Sequence, residues 1–237
     1  MLNPILCLSV MSVLIVGVIS LGLSITAASS SLNIYPPGSS PYGVPYSEHI
    51  ENFWKWILAI PAKDNPFDDQ TGEKCATGQS NRSSMFYLSP NSGGRSDRTC
   101  EVPVGKALFI PLMPAEYSDL EQRGASVEQL SATVKKDQDA VNSLYLKIDD
   151  KEYKYDNLTK YRIHPTPPFE VTYPDNAIFG VVKGGNSTAV ADGYYIITEP
   201  LAKGNHTIHY KSSLICSDPD CAEPNFVIDI KYNIIAK

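Results

Sequence analysis

No Asp, Glu, Lys, Arg or His occurs before Glu48, so the whole net charge of −6 belongs to residues 48–237. Basic side chains are scarce as well: 20 Lys and Arg stand against 26 Asp and Glu, with no basic patch among them. Without such a patch, phosphate neutralisation on a nucleic acid is excluded as a function. Electrostatic docking on anionic lipid is excluded for the same reason. The signatures G-x-S-x-G, H-E-x-x-H, the P-loop and the dinucleotide fingerprint are all missing. No cofactor is therefore expected. Histidine is also rare, with four residues at His49, His164, His206 and His209. His206-x-x-His209 followed by Cys216-x4-Cys221 has the outline of a zinc set. Residues i and i+3 of a strand point to opposite faces, however, and oxidised cysteines offer no thiolate. No metal is expected there.

What the N-terminus has in place of charge is an apolar run from Pro4 to Ala28. A bilayer-spanning helix needs about 20 apolar residues. The run also ends in the small residues Thr26, Ala27, Ala28 and Ser29, which suit signal-peptide cleavage. A positive n-region is absent, and the apolar stretch exceeds the usual ~7–15 residues. Residues 1–28 thus read as an export segment, either a signal peptide or a retained N-terminal membrane anchor. Residues 29–46 read as a Ser/Pro/Gly linker, because Pro36, Pro37, Pro41 and Pro45 withhold helix and ladder hydrogen bonds. Residues 47–237 then form one extracellular domain, secreted or anchored, touching a membrane only through the N-terminal segment.

Cysteine usage points the same way. Beyond the apolar run stand Cys75, Cys100, Cys216 and Cys221, an even number suited to an oxidising compartment. Three pairings are possible, and Cys75–Cys100 with Cys216–Cys221 joins neighbours across turn-rich stretches. The sequons at Asn81, Asn157, Asn186 and Asn205 fit a glycosylated surface.

Periodicity places the elements. Ile50, Phe53, Trp54, Ile57 and Leu58 make one apolar stripe on a helix over 47–60, with Ser47 as cap and Pro61 as stop. Trp56 leaves that stripe. Residues 63–75 are turn chemistry. Strands are expected at 84–88 and 98–102, and 106–113 reads as a central strand buried on both faces. Ser126 and Gln129 form a capping-box pair for a second helix, with Val127, Leu130, Val134 and Val141 on one face. Further strands are expected at 143–148, 152–155, 169–173, 194–199, 206–214 and 225–236. Such spacing predicts a mostly β fold, an antiparallel β-sandwich (Ig-like or jelly-roll-like) with two added helices, preceded by the apolar N-terminal helix.

Several segments also resemble a widespread family of uncharacterised exported microbial proteins. They are FWKWILAIPAKDNPFDDQTGEKCATGQ, RTCEVPVGKALFIPL, DGYYIITEPLAKGNHTIHY and the terminal NFVIDIKYNI. The resemblance covers most of the chain from about residue 50. It implies an extracellular β-rich domain in which Cys75 and Cys100 recur, and it implies no catalytic residue. The chain departs from the pattern in lacking a second aromatic at Lys55 or Met85. It also lacks cysteines near 115–135 and carries Cys216 and Cys221 instead.

The function expected from these features is that of a non-catalytic cell-surface or secreted protein, structural or ligand-binding. A cell-envelope glycan or a surface protein is the expected partner. Trp56, Tyr194 and Tyr195 are candidate ligand-binding aromatics, since aromatic faces stack on sugar rings as well as filling cores. Asp64, Asp68, Asp69 and Glu73 crowd one loop as a weak calcium candidate whose spacing misses the EF-hand pattern. The alternative is an extracellular hydrolase on the same scaffold, whose two carboxylates need not be close in sequence. A cleft gathering two carboxylates, or His164 with one, favours the enzyme; a flat aromatic strip favours binding.

Overall fold

The structure, a computed structural model, describes residues 32–215 and 225–237. The apolar segment at 1–28 and the expected Cys216–Cys221 pair lie outside those residues. Two five-stranded sheets carry the fold. Sheet one orders β1 (Met85–Tyr87), β3 (Ala107–Ser118), β8 (Gly185–Pro200) and β6 (Arg162–Ile163), with β7 (Phe169–Tyr173) also on β8. Sheet two orders β2 (Gly94–Val102), β10 (Asn225–Ala236), β9 (Gly204–Ile215), β4 (Val141–Ile148) and β5 (Lys151–Lys154). Their facing sides share one core, with Leu108, Ile110 and Ile196 meeting Leu146, Tyr210 and Ile230.

Mostly β is therefore right, but the sandwich is not antiparallel throughout. β1 pairs parallel with β3, and β2 pairs parallel with β10. Alternation of apolar residues fixes which face a strand buries, not which way it runs. A marked turn joins β4 and β5 antiparallel: Asp149 takes a positive φ of 50° there, and Asp is among the residues that tolerate it.

Helix α1 (Tyr46–Leu58) covers one face of sheet one. Pro45, not Ser47, precedes its first turn, and no side chain caps it. Its stripe is buried as expected: Ile50, Phe53, Ile57 and Leu58 are fully covered and Trp54 nearly so. Each such side chain contributes about 1.5–3 kcal/mol of burial. Helix α2 (Val127–Asp139) carries the reciprocal Ser126–Gln129 capping box. It lays Leu130 and Val134 on Val190 of β8. Val141, expected on the helix, instead opens β4. A one-turn helix, α3 (Tyr155–Leu158), follows β5.

Residues 32–45 are not a free spacer. Ile34 bridges Thr198 of β8, and Tyr35 N–H donates to Ile197 O at 2.9 Å. The Tyr46 hydroxyl accepts from Ile197 N and donates to Tyr35 O. Buried His49 bonds Pro41 O through Nε2 at 3.0 Å; burial, partly offset by that carbonyl, holds its pKa below the ordinary value. The prolines deny helix but leave enough N–H groups to dock the segment on β8. Cys75 and Cys100 form the expected disulfide, Cα–Cα 5.8 Å, tying the turn-rich stretch to β2. Among the described residues no helix is long and apolar enough to cross a membrane.

Candidate functional site

β1 pairs only with residues 107–109 of β3. From Ile110 onward β3 has β8 on one side and, among the described residues, no strand on the other. Pro111 and Pro114 fall in that stretch, as suits an edge where N–H groups are dispensable. Beside the edge lies a cleft of about 420 Å³. A register shift between Pro111 and Met113 turns the later residues of β3. Ala115 and Tyr117 then face α2, and Glu116 is set opposite Ala191, on the side where α1 brings Trp54. Glu116, Trp54, Tyr117 and Glu121 line the cleft.

Glu116 is 6% exposed, and neither carboxyl oxygen has a hydrogen-bond partner. Glu121 follows in the loop after β3, held by Ser118 N–H at 3.0 Å and by the Tyr173 hydroxyl at 3.1 Å. Tyr173 is itself oriented by Ser118 Oγ at 2.9 Å. That loop is pinned to β8 through Asp119, which accepts from Ser187 Oγ and Thr188 N. Burial first, then the neighbouring Glu121 charge, pushes the Glu116 carboxyl well above the usual carboxylate range. Burial raises Glu121 to about 7, against the pull of its Ser118 and Tyr173 hydrogen bonds. Each carboxyl is the other's polar neighbour. Such a pair is tolerable when it stays protonated, because two like charges in one buried site cannot both ionise cheaply.

The mouth is aromatic. Asn65 donates to Ile57 O at 2.7 Å and Ile60 O at 3.0 Å at the end of α1, and accepts from Phe67 N at 2.9 Å. One Asn thus closes a helix and aims Phe67 at the cleft. Phe67 meets Phe179 edge-on, with centroids 5.0 Å apart. Phe179 is 43% exposed and sits at φ 59° beside Gly180 at φ 76°. This is the tip of a tight turn closed by Val181 N–H donating to Ile178 O. Asn, Asp or Gly is the usual residue for such a position, and a bulky aromatic in left-handed backbone costs on the order of 1–3 kcal/mol. Phe226 completes the rim from β10.

Arg98 holds the far wall. It is 1% exposed, and among the described residues its Nε has no hydrogen-bond partner. Its guanidinium donates to Ser89 O at 2.7 Å, to Phe67 O at 3.0 Å and to the Tyr232 hydroxyl at 2.7 Å. Sequence reasoning missed Arg98, Glu116 and Glu121. An Arg within an alternating strand and a Glu after an apolar run look like solvated edge positions. The one available signal was Glu116 falling on a buried face once the register of β3 shifts.

The residues singled out from sequence are placed elsewhere. Trp56 is half-buried, with its Nε1 donating to Thr77 O at 3.0 Å and its ring stacked on Tyr87 at 5.3 Å. It plugs a second contact and offers no open platform. Tyr194 lies in the inter-sheet core, and Tyr195 is fully buried with its hydroxyl accepting from Trp54 Nε1 at 3.2 Å. They build no flat strip. Asp69 spends its carboxylate on Thr71 N and Lys74 N at 2.9 and 2.8 Å. Burial works against that ionisation, yet these backbone donors hold its pKa below the ordinary value. Asp64, Asp68 and Glu73 add no ligand cluster; among the described residues no group of three or more candidate ligands converges. His164 is exposed after β6. His206 bonds Asp149 and His209 bonds Asp229, at 2.8 and 2.7 Å, in separate pairs. Asn81, Asn157, Asn186 and Asn205 are all exposed.

No family model matches the chain, and no curated protein does. Solved structures similar to it include one described as "Structure of PbICP-C in complex with falcipain-2", at 13% identity and TM-score 0.24, over 67% of this chain and 96% of that one. Another is described as "Solution Structure of Amebosin", at 10% identity and TM-score 0.17, over 59% and 95%. At TM-scores this low neither likeness carries an argument, and the cleft stands on its own chemistry.

Proposed function

We propose that the protein is an exported, non-catalytic ligand-binding β-sandwich and that the cleft beside β3 is its site. The observation that carries this is Glu116, buried with both carboxyl oxygens unpartnered in a cleft rimmed by aromatics. A buried polar group without a partner costs on the order of 1–3 kcal/mol, and Phe179 adds backbone strain at the mouth. The first cost is recovered when a ligand supplies the missing contacts. The apolar segment at 4–28, the disulfide and the exposed sequons support a working place outside the cell, where an envelope glycan or a surface protein supplies the ligand. None of the residues lining the cleft is Lys, Arg or His. A developing oxyanion would therefore find no cation there, and oxyanion stabilisation is commonly the largest catalytic contribution. The test is a thermal-shift screen of the domain against glycans and small metabolites. A hit should raise Tm in the wild type and not in Phe179→Ala or Glu116→Gln. A hit unaffected by both substitutions would place the ligand elsewhere.

One observation favours a second reading, an extracellular hydrolase. Two carboxyls in one cleft, one titrating at about 7, are the raw material of acid–base chemistry. Turnover of generic glycoside, ester or peptide substrates that disappears in Glu121→Gln would establish it.

A further inference from the structure

We infer that the cleft receives a primary alkylammonium group, which passes between the rim phenylalanines and donates its N–H groups to the unpartnered oxygens of Glu116, with Glu121 beside it. The inference rests on the reading of the cleft as a binding site. Neither Glu116 oxygen has a hydrogen-bond partner among the described residues. Its polar neighbour is another carboxyl, so what the site lacks is a cation that can also donate hydrogen bonds. A primary ammonium is that group, with three donors and no acceptor. The walls fit the rest of such a molecule: Trp54, Tyr117 and Phe67 supply aromatic surface for an alkyl chain and negative ring faces for a cation. Arg98 does not act on the pair: the Glu116 and Glu121 carboxyls are shifted by burial, by each other, by Tyr173 and, for Glu121, by Ser118.

Binding should be linked to protons. In the free protein burial keeps both carboxyls protonated towards neutral pH; the bound ammonium favours the ionised form, so one proton leaves to solvent on binding. Facing the pair are Tyr173 from β7, Tyr195 from β8 and the neutral indole of Trp54 from α1; Tyr117, on β3 itself, is tied to Asp137 of α2. Burial pushes all three phenols above their ordinary value, so none of them titrates near neutrality. Affinity should therefore rise with pH from 6 to 8, as the pair loses its proton, by up to about tenfold per unit for one proton.

Titration calorimetry on the disulfide-intact domain tests this with n-hexylammonium chloride, n-hexanol, methyl glucoside and Nα-acetyllysine methylamide. Hexylammonium should bind at least tenfold more tightly than hexanol. It should release close to one proton, read from two buffers of different ionisation enthalpy, and weaken at least tenfold in Glu116→Gln. Should that variant fail to fold, Glu121→Gln and the wild-type pH profile carry the same test. Tighter binding of the acetyllysine amide would identify the source as a protein lysine, and weaker binding a free amine. Equal binding of hexanol and hexylammonium, or proton uptake, overturns the ammonium inference. If the neutral probes bind and lose affinity in Phe179→Ala, the cleft remains a binding site for another ligand. No binding by any probe to a folded protein overturns both.

Discussion

Glu121→Gln should change how stability depends on pH, and the size of the change comes from the site. An unfolded glutamate ionises near pH 4.3. In the fold, burial pushes Glu121 up to about 7. Between those values the unfolded chain has released a proton that the fold still holds. Stability therefore falls as pH rises through this window, by about 1.4 kcal/mol per unit for one proton. From pH 4.5 to 7 the loss amounts to roughly 3 kcal/mol, on the order of 6–12 °C in Tm for a domain of this size. Glutamine keeps the shape and one acceptor for Ser118 N–H or Tyr173 but has no proton to lose. Its substitution adds a constant offset for the hydrogen bond it cannot make. The stability difference between wild type and variant should thus swing by roughly 3 kcal/mol in favour of the variant between pH 4.5 and 7. His49, Asp69 and His206 also have shifted pKa values, but they act alike in both proteins and cancel in the difference; Glu116 does not cancel, because losing the Glu121 charge lowers its carboxyl and adds to the swing in the variant's favour. Urea unfolding at half-unit steps of pH reads the swing directly. Parallel profiles, separated by the same free energy at every pH, would refute the raised, buried Glu121 carboxyl.

Three other outcomes are expected. Arg98→Met should cost about 1–3 kcal/mol in chemical denaturation, since it strands the Phe67 carbonyl while Ser89 O keeps the Tyr232 and Tyr210 hydroxyls, and Arg98→Lys should rescue little because it lacks the planar fork; a loss within about 0.5 kcal/mol contradicts this. Trp54→Ala and Trp56→Ala should both behave as core truncations of about 3–5 kcal/mol, and a Trp56 variant within about 0.5 kcal/mol of wild type would return that ring to the surface. Deletion through residue 31 should leave a β-rich circular dichroism spectrum and a cooperative melt, whereas deletion through Pro45 should lower Tm sharply by uncovering β8 where Ile34 and Tyr35 dock; equal melts would mean that segment is a spacer after all.

How far the chain could be read in advance depended on what kind of information each element used. The stripe of α1, the Ser126–Gln129 box and the alternation of β10 are local, and each stands where periodicity put it. β8 was seen only from Tyr194, although it begins at Gly185. Its first half, GNSTAVADG, is small and polar, and it is strand because long neighbours cover both its faces. The site was illegible for a related reason. Glu116 and Glu121 look like ordinary surface acids until β3 shifts register and α1 closes over them. Trp56 misled because it leaves the α1 stripe for a second contact, on Tyr87, that no helical period announces.

The parallel pairing of β2 with β10 also sets the order in which the protein can fold. Arg98 and Tyr232, partners across that ladder, are 134 residues apart. Strand β10 fills the place between β2 and β9, so sheet two has a gap until residues 225–236 have been synthesised. A ladder closed over so long a loop forms late and slowly. Until then β2 holds the disulfide half-cystine Cys100 and the future core residue Val102 in an unfinished sheet. A ribosome-bound chain therefore cannot complete sheet two before β10 has emerged. The same delay leaves an unpaired, partly apolar strand open to other chains. Refolding from denaturant should consequently be limited less by stability than by concentration, with yield falling as protein is added while the melting temperature of the recovered fraction stays the same.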